Sequence, residues 1–355
     1  MLSQEENKRY HRQLILPQIG LEGQMKLKNA RVLVVGAGGL GCPVLQYLTA
    51  AGVGNIGVVD KDKIDGSNLQ RQPLYSTRDI GRPKVEIAKE ILSGLNPNTE
   101  ISIYNTFINA QNAIDIISEY DIVVDGSDNF STRYLVNDAC VMAGKVFVSG
   151  SIHRFEGQLS VYNYKGGATY RCLFPEAPSD IADCSEAGVL GIVPGIIGTM
   201  MANEVVKLIT GIGEVLTGKL FVINTLNLQI QVLEFSKNIN AEIQSLGNYD
   251  KSCVVTSIKE ISAIELKRKS KAGEKFQLFD LRETYEREQV ILNSENISFE
   301  EILKNPEKIK IDIPVIMYCK QGNRSKVAIK NLQEQYGFNN LYNLTGGSNT
   351  WEQTD

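Results

Sequence analysis

Gly36, Gly38 and Gly41 stand at GxGxxG spacing in the run RVLVVGAGGLG, after an apolar strand that begins at Arg31. A helical pattern follows (Leu40, Val44, Leu45, Leu48, Ala51) and stops at Gly52. Glycines so spaced, with Gly39 inside the same turn, let backbone approach phosphate groups and let the helix pack closely on the strand. A second strand, Asn55 to Val59, ends at Asp60, 19 positions after Gly41, where a carboxylate suits a ribose hydroxyl. Asp62, Asn68, Arg71 and Lys84 come next. Guanidinium and ammonium groups beside such a turn can neutralise a polyphosphate and an amide can hydrogen-bond to it, which a plain dehydrogenase has no need to do. Asp128 lies in the turn DGSDN, where it could cap the helix expected from Phe130. Lys84 reads either as a phosphate ligand or as a solvated first-turn lysine opposing the helix dipole. Two cysteines have suggestive settings: Cys184 in DCSEAGVLG, inside a long loop, and Cys319 in CKQGNR, after an apolar strand and at the opening of a helix. Loop amides and a helix N-terminus at Cys319 favour a thiolate, which can carry a persulfide.

The elements that hold these residues follow from periodicity. Beyond the first strand–turn–helix–strand unit come a helix over 84–95 opened by Pro83, a strand at 101–104, a helix at 110–119, a strand at 121–125, a helix at 130–143 and a strand at 145–149. This alternation predicts an α/β fold with a Rossmann-like, doubly wound, mostly parallel sheet. Strand-rich text at 152–163, a loop at 165–188, an apolar helix and strands at 219–225 and 228–235 predict antiparallel completion of that sheet. The uncharged stretch Ala187 to Asn203 is too short to span a bilayer and reads as a buried segment. Residues 1–235 thus form one domain, 236–252 a polar linker, and 253–355 a small second α/β domain. Within the latter the pattern predicts a helix at 257–269, strands at 276–280 and 313–318, a helix at 325–336 and a short strand near Leu341.

Composition narrows the chemistry. Of 355 residues 43% are apolar, and 37 Lys+Arg against 41 Asp+Glu leave a net charge of −4. Such a chain has a core to bury and no general grip on nucleic acid. Two histidines, His11 and His153, cannot build a His-rich metal centre, and six cysteines with no CxxC pair exclude a thioredoxin motif or a four-Cys zinc knuckle. Sparse cysteine and a polar N-terminus without an apolar signal core predict a reducing, cytoplasmic location and no membrane.

The run RYHRQ (Arg9 to Gln13), the turn GAGGLG, the segment SNLQRQ, the GRPK turn and DGSDN, in order over about residues 4 to 235, resemble the MoeB/ThiF family of sulfur-carrier adenylyltransferases, relatives of ubiquitin-activating enzymes. The resemblance implies ATP-dependent activation of the C-terminal glycine of a small ubiquitin-like carrier of the MoaD/ThiS type. It implies a ribose contact at Asp60, nucleotide contacts at Asp62, phosphate contacts at Asn68, Arg71 and Lys84, and Mg²⁺ at Asp128. It also implies a homodimer in which Arg12 reaches the neighbouring subunit's nucleotide. Cys184 stands where family members place a cysteine able to bond covalently to the activated carrier. Cys172 matches half of the family's first zinc pair, but Thr169 occupies the other position and no second pair follows, so structural zinc is expected to be absent.

Residues 254–353 resemble a rhodanese-like sulfurtransferase: Asp280-Leu-Arg282-Glu283 matches its DxRE turn, Cys319 to Arg324 its six-residue active loop, and Thr345-Gly-Gly-Ser-Asn-Thr-Trp351 its closing helix. The Gly-His-Ile usual after DxRE is replaced by Glu288-Gln289-Val290. Joined on one chain, the halves imply that a persulfide on Cys319 attacks the carrier acyl-adenylate, and that the resulting acyl disulfide is opened, by Cys184, to a thiocarboxylate. The sulfur donor, a cysteine desulfurase or thiosulfate, and the carrier, of molybdopterin or thiazole type, stay open. Two other classes remain: an NAD-dependent oxidoreductase with a fused regulatory domain, and a carrier-binding protein without catalysis.

Overall fold

The computed structural model describes residues 1–176, 188–238, 241, 243–247, 249, 258–287 and 290–352, and the chain divides into two compact units, Met1–Lys251 and Ser252–Asp355. Three helices, α1 (Gln4–Arg9), α2 (His11–Leu14) and α3 (Gly20–Asn29), lead into β1 (Arg31–Val35). The alternation continues through α4 (Gly41–Ala51), β2 (Asn55–Val59), α5 (Lys84–Leu95), β3 (Glu100–Tyr104), α6 (Ala113–Ser118), β4 (Ile122–Asp125), α7 (Phe130–Met142) and β5 (Val146–His153). Then come β6 (Glu156–Tyr162), α8 (Tyr170–Leu173), α9 (Ile192–Thr210), β7 (Lys219–Asn224) and β8 (Gln229–Glu234).

The eight strands lie in the order β3-β2-β1-β4-β5-β6-β7-β8, parallel from β3 to β5 and antiparallel from β5 to β8. The chain leaves β1 toward β2 and β3, then crosses to β4 on the other side. The point where the order reverses opens a crevice past the carboxyl ends of β1 and β4, the place where doubly wound sheets bind ligands. Both faces of the sheet are covered. Val32 and Val34 join Leu45, Leu48, Ile197 and Met201 in one core, while Leu33 and Val35 join Tyr134, Phe147 and Tyr162 in the other.

Two boundaries differ from expectation. Helix α9 runs 19 residues from Ile192 to Thr210, not to Asn203, so its length alone would cross a membrane. Val193, Ile197, Met201 and Val205 are fully buried in the first core, which accounts for its apolarity without a bilayer. The charge that seemed to end it, Glu204, is buried and accepts a hydrogen bond from the Leu216 amide at 2.9 Å while pairing with Lys207. In the stretch read as a linker, Leu246 and Tyr249 pack against the second core, and the Tyr249 hydroxyl donates to Asp138 at 2.6 Å.

The second unit contains β9 (Lys259–Ile261), α10 (Ala263–Lys271), β10 (Gln277–Asp280), β11 (Glu295–Asn296), α11 (Phe299–Lys304), β12 (Val315–Tyr318), α12 (Asn323–Tyr336), β13 (Leu341–Leu344) and α13 (Ser348–Glu352). Its sheet is wholly parallel, in the order β11-β10-β12-β13-β9. The helix expected over 257–269 starts later: β9 pairs with β13, and Ser262 caps α10 by accepting from the Glu265 amide at 3.2 Å. Central strand β12 delivers the chain to Cys319.

Candidate functional site

The first glycine turn opens where β1 stops. Gly36 has φ +91° and a Cβ there would stand 2.9 Å from the Gly126 carbonyl oxygen; a Cβ on Gly41 would fall 1.9 Å from the Gly36 oxygen. These two glycines are demanded by packing. Around Gly38 the nearest atom is Gln72 Nε2 at 3.6 Å, so this is the open side, while Gly39 backs onto Pro194 at 3.1 Å.

Asp60 fixes the turn from β2. One carboxylate oxygen accepts from the Ala37 amide at 2.8 Å and the other from the Asp62 amide at 2.7 Å, and the Tyr75 hydroxyl donates to the Ala37 carbonyl at 2.8 Å. Burial raises the Asp60 carboxyl above its ordinary range, against the pull of the Lys84 charge. Lys84 is not solvated: it is 5% exposed, and its Nζ lies 3.0 Å from Asp62 Oδ2. Asn68 and Arg71 share one turn, in which the Arg71 guanidinium donates to the Ser67 carbonyl at 3.1 Å. Gln72, which sequence reasoning passed over, is 3% exposed, and its Oε1 has no hydrogen-bond partner among the described residues. Its only sequence signal was adjacency to Arg71.

Asp128 is exposed on the turn after β4. That turn is held by buried Asp125, which accepts from the Ser127 amide at 3.0 Å and from Ser149 at 3.1 Å and pairs with Arg133 at 2.9 Å. The cap of α7 is Asn129, whose side chain accepts from the Thr132 amide at 2.8 Å. Asp128 therefore does not cap the helix, and its carboxylate is left facing solvent. Arg12 is exposed on α2 between two anchors, Tyr10, which accepts from Asn96 at 2.8 Å, and Gln13, which donates to the Ala51 carbonyl at 3.1 Å. No hydrogen bond joins Arg12 to the glycine turn among the described residues.

The cysteines sort by setting. Cys42 and Cys140 are buried, and burial pushes their thiols up, Cys42 to about 12. Cys184 and Cys253 lie outside the described residues. Cys172 touches Thr169, whose amide donates to its sulfur at 3.3 Å, with the Asn238 carbonyl 4.0 Å away. Burial acts to raise that thiol, but the hydrogen bonds with Thr169 and Asn238 and the charge of Lys237 outweigh it and hold it below its ordinary value. Among the described residues no three His, Cys, Asp or Glu side chains converge on a metal position. A zinc clamp does not fit here: one sulfur faces a hydroxyl and a carbonyl.

In the second unit Cys319 is 4% exposed and accepts from the Gly322 amide at 3.2 Å. Gly322, with φ +90°, starts α12, and Gly347 must be glycine because a Cβ would lie 2.1 Å from the Cys319 oxygen. Arg324 sits in the first turn of α12 rather than in the loop. Its guanidinium is committed to Glu286, at 2.7 and 3.2 Å, and to the Leu281 carbonyl at 3.2 Å. Buried Asp280 takes Arg282 in a fork at 2.9 and 2.8 Å, with Arg287 3.3 Å away.

Residues 10–243 match the model of the ThiF family, and residues 262–354 match that of the rhodanese-like domain. The chain belongs to the ThiF family. It is similar to the probable adenylyltransferase/sulfurtransferase MoeZ of Mycobacterium tuberculosis, 40% identical over 99% of this chain and 94% of that one. It is also similar to the sulfur carrier protein adenylyltransferase of Thermus thermophilus, 49% identical over 66% of this chain and 90% of that one. Among solved structures, MccB of E. coli with ATP aligns at a TM-score of 0.59 and 26% identity, covering 68% of this chain and 75% of that chain. With a full-length relative of this kind, this ThiF-family chain with its rhodanese-like domain is an enzyme of the adenylyltransferase and sulfurtransferase type.

Proposed function

We propose that this enzyme uses ATP and Mg²⁺ to adenylate the C-terminal glycine of a small ubiquitin-like sulfur carrier, and then converts the acyl-adenylate to a thiocarboxylate with sulfur held on Cys319. The observation that carries the reading is what is tied to the glycine turn: Asp60 bonded to the Ala37 amide, buried Lys84 paired with Asp62, the Asn68–Arg71 turn against Gly39, and Asp128 exposed two residues after Gly126, which packs on Gly36. A triphosphate needs that set; a nicotinamide dinucleotide does not.

The carrier carboxylate attacks the α-phosphorus, the bond to the bridging oxygen breaks, and pyrophosphate leaves with the electron pair. The nucleophile is already ionised, so no general base is required. Arg71 and Lys84 neutralise charge on the departing phosphates, while Asp60 holds the ribose and sets the Ala37 amide. Asp128 would hold Mg²⁺, which would supply further charge neutralisation on the phosphates. In a homodimer, Arg12 of the neighbouring copy adds a cation, which its exposure between two anchored residues supports. A Cys319 persulfide, loaded from thiosulfate or a desulfurase-type donor, then attacks the acyl carbon and AMP leaves. A second thiol, for which Cys184 is the candidate, attacks Cys319 Sγ. This releases the thiocarboxylate and leaves a protein disulfide for an external thiol to reduce. We place this chemistry in the cytoplasm.

The test is ATP–pyrophosphate exchange with purified carriers of the molybdopterin and thiazole types. Exchange that depends on a carrier and disappears in Asp128→Ala supports the reading; exchange that survives in Asp128→Ala overturns the role given to that residue. A larger rise in melting temperature with NAD than with ATP would overturn the nucleotide assignment.

A further inference from the structure

Behind Cys319 lies a pair of fully buried polar residues that the chemistry above does not use. Ser325 and Asn343 are both 0% exposed. Ser325, in the first turn of α12, has its hydroxyl oxygen 3.7 Å from Cys319 Sγ, 3.2 Å from the Gly322 carbonyl oxygen and 2.7 Å from the side-chain amide of Asn343 on β13. One hydroxyl proton cannot serve three acceptors. With the Asn343 oxygen turned toward Ser325, that proton is taken by Asn343, and Asn343 Nδ2 is left as a buried donor with no partner among the described residues. Turning the amide over gives the stranded donor a partner and removes the strongest competitor. Nδ2 then donates to the Ser325 oxygen, and the hydroxyl proton is shared between the sulfur and the Gly322 carbonyl oxygen. The oxygen and nitrogen of an amide are told apart by such bookkeeping, and a stranded donor costs more than a carbonyl with spare lone pairs.

We propose that Asn343 is a positioning residue of the sulfur site, donating to Ser325 so that the Ser325 hydroxyl is aimed at Cys319 Sγ. The sulfur then receives two hydrogen bonds, from the Gly322 amide and from Ser325, both of which favour an anionic thiolate or persulfide over a neutral thiol. This deepens the reading of Cys319 as the sulfur carrier and rests on it. Arg324, with its partner Glu286, interacts with the sulfur, and the other charged groups on the elements that carry the loop are Lys320, the Asp280–Arg282–Arg287 group after β10 and the Lys326–Glu260 pair. None is altered in the variants below.

The experiment is the pH profile of alkylation at Cys319 in the full-length chain, followed by mass spectrometry of the Cys319 peptide, for wild type, Ser325→Ala, Asn343→Leu and the double variant. Ser325→Ala is expected to move the midpoint to higher pH by about one unit, tenfold in thiolate fraction, the scale of one hydrogen bond to a charged group. Asn343→Leu, close in volume, is expected to move it the same way by a smaller amount, and the double variant to match Ser325→Ala alone. If Asn343 instead takes the hydroxyl proton, Asn343→Leu frees that proton for sulfur and the midpoint moves to lower pH, which overturns the proposal. An unmoved midpoint in Ser325→Ala, or full additivity in the double variant, does so as well. Should Asn343→Leu fail to fold, Ser325→Ala still decides whether the hydroxyl reaches the sulfur, and loss of the Asn343 amide proton signals in that variant decides its partner. Alkylation reads the sulfur directly, so a normal profile beside absent thiocarboxylate formation counts against the proposed function and not against this contact.

Discussion

Gly41→Ala and Gly38→Ala, compared side by side, separate the two jobs of the glycine turn. At Gly41 an added Cβ falls 1.9 Å from the Gly36 carbonyl oxygen, about 1 Å short of the closest approach a Cβ tolerates, and the obstacle is backbone. Nothing flexible can move aside. Overpacking of this kind costs about 3 kcal/mol or more, which for a unit of this size lowers the melting temperature by about 6–12 °C. At Gly38 the nearest atom is the end of the Gln72 side chain at 3.6 Å, and φ is not left-handed. The fold should then hold its melting temperature within about 2 °C, since surface changes stay near 0.5 kcal/mol. A methyl group on the open side nonetheless stands where a phosphate must approach the backbone, and an affinity loss of about tenfold corresponds to about 1.4 kcal/mol. Differential scanning fluorimetry gives the first quantity, and the ATP concentration dependence of carrier-stimulated pyrophosphate exchange gives the second. A Gly38→Ala enzyme with wild-type ATP dependence, or a Gly41→Ala enzyme that melts with wild type, would refute the reasoning.

Lys84→Met should slow pyrophosphate exchange by about a hundredfold, the scale for losing one positioned electrostatic partner. It should also lower the melting temperature, because the buried Asp60 carboxylate loses the Lys84 charge even though Asp62 is exposed. Asn129→Ala should destabilise by about 1 kcal/mol through loss of the α7 cap, whereas Asp128→Ala should not alter melting. Treatment with a chelator should leave the melting temperature unchanged in the absence of nucleotide, and metal analysis should find no stoichiometric zinc, because Thr169 stands beside Cys172. The hydrogen bond from Arg324 holds the Glu286 carboxyl below its ordinary range, against burial. A depressed acid stabilises the fold above its unfolded pKa and loses that contribution as pH falls through the folded value. Glu286→Gln should therefore lower melting at neutral pH and flatten its decline in acid; an unchanged pH dependence would show that the pair does not contribute.

What was legible in the sequence is what is local. The GxGxxG spacing, Asp60 at a strand end and the strand–helix alternation each depend on residues close in the chain, and the doubly wound, mostly parallel sheet follows from that alternation. What stayed hidden depends on tertiary partners. Lys84 stayed open between phosphate ligand and solvated lysine because nothing in a first-turn lysine reveals that Asp62 closes over it. The uncharged stretch was taken to stop at Asn203, short of a membrane span, because a buried glutamate bonded to a distant amide cannot be told from a surface one. Strand β9 was absorbed into a helix because Lys259-Glu260-Ile261 is too short to show alternation, although Ser262 and Glu265 carried the capping signal. Asp128 was weighed as the cap of the helix at Phe130, and the structure gives that role to its neighbour Asn129, which the sequence reading did not weigh. Arg324 was counted as a loop cation, yet its partner Glu286 lies in a segment to which periodicity gave no element.

The most direct test of the central claim is the intact mass of a candidate carrier after incubation with the full-length enzyme, ATP, Mg²⁺ and a sulfur donor, wild type against Cys319→Ser. The account predicts that wild type yields carrier heavier by the exchange of one oxygen for one sulfur, and that Cys319→Ser stops at the acyl-adenylate with pyrophosphate exchange intact. Thiocarboxylate formed by Cys319→Ser at the wild-type rate would contradict it.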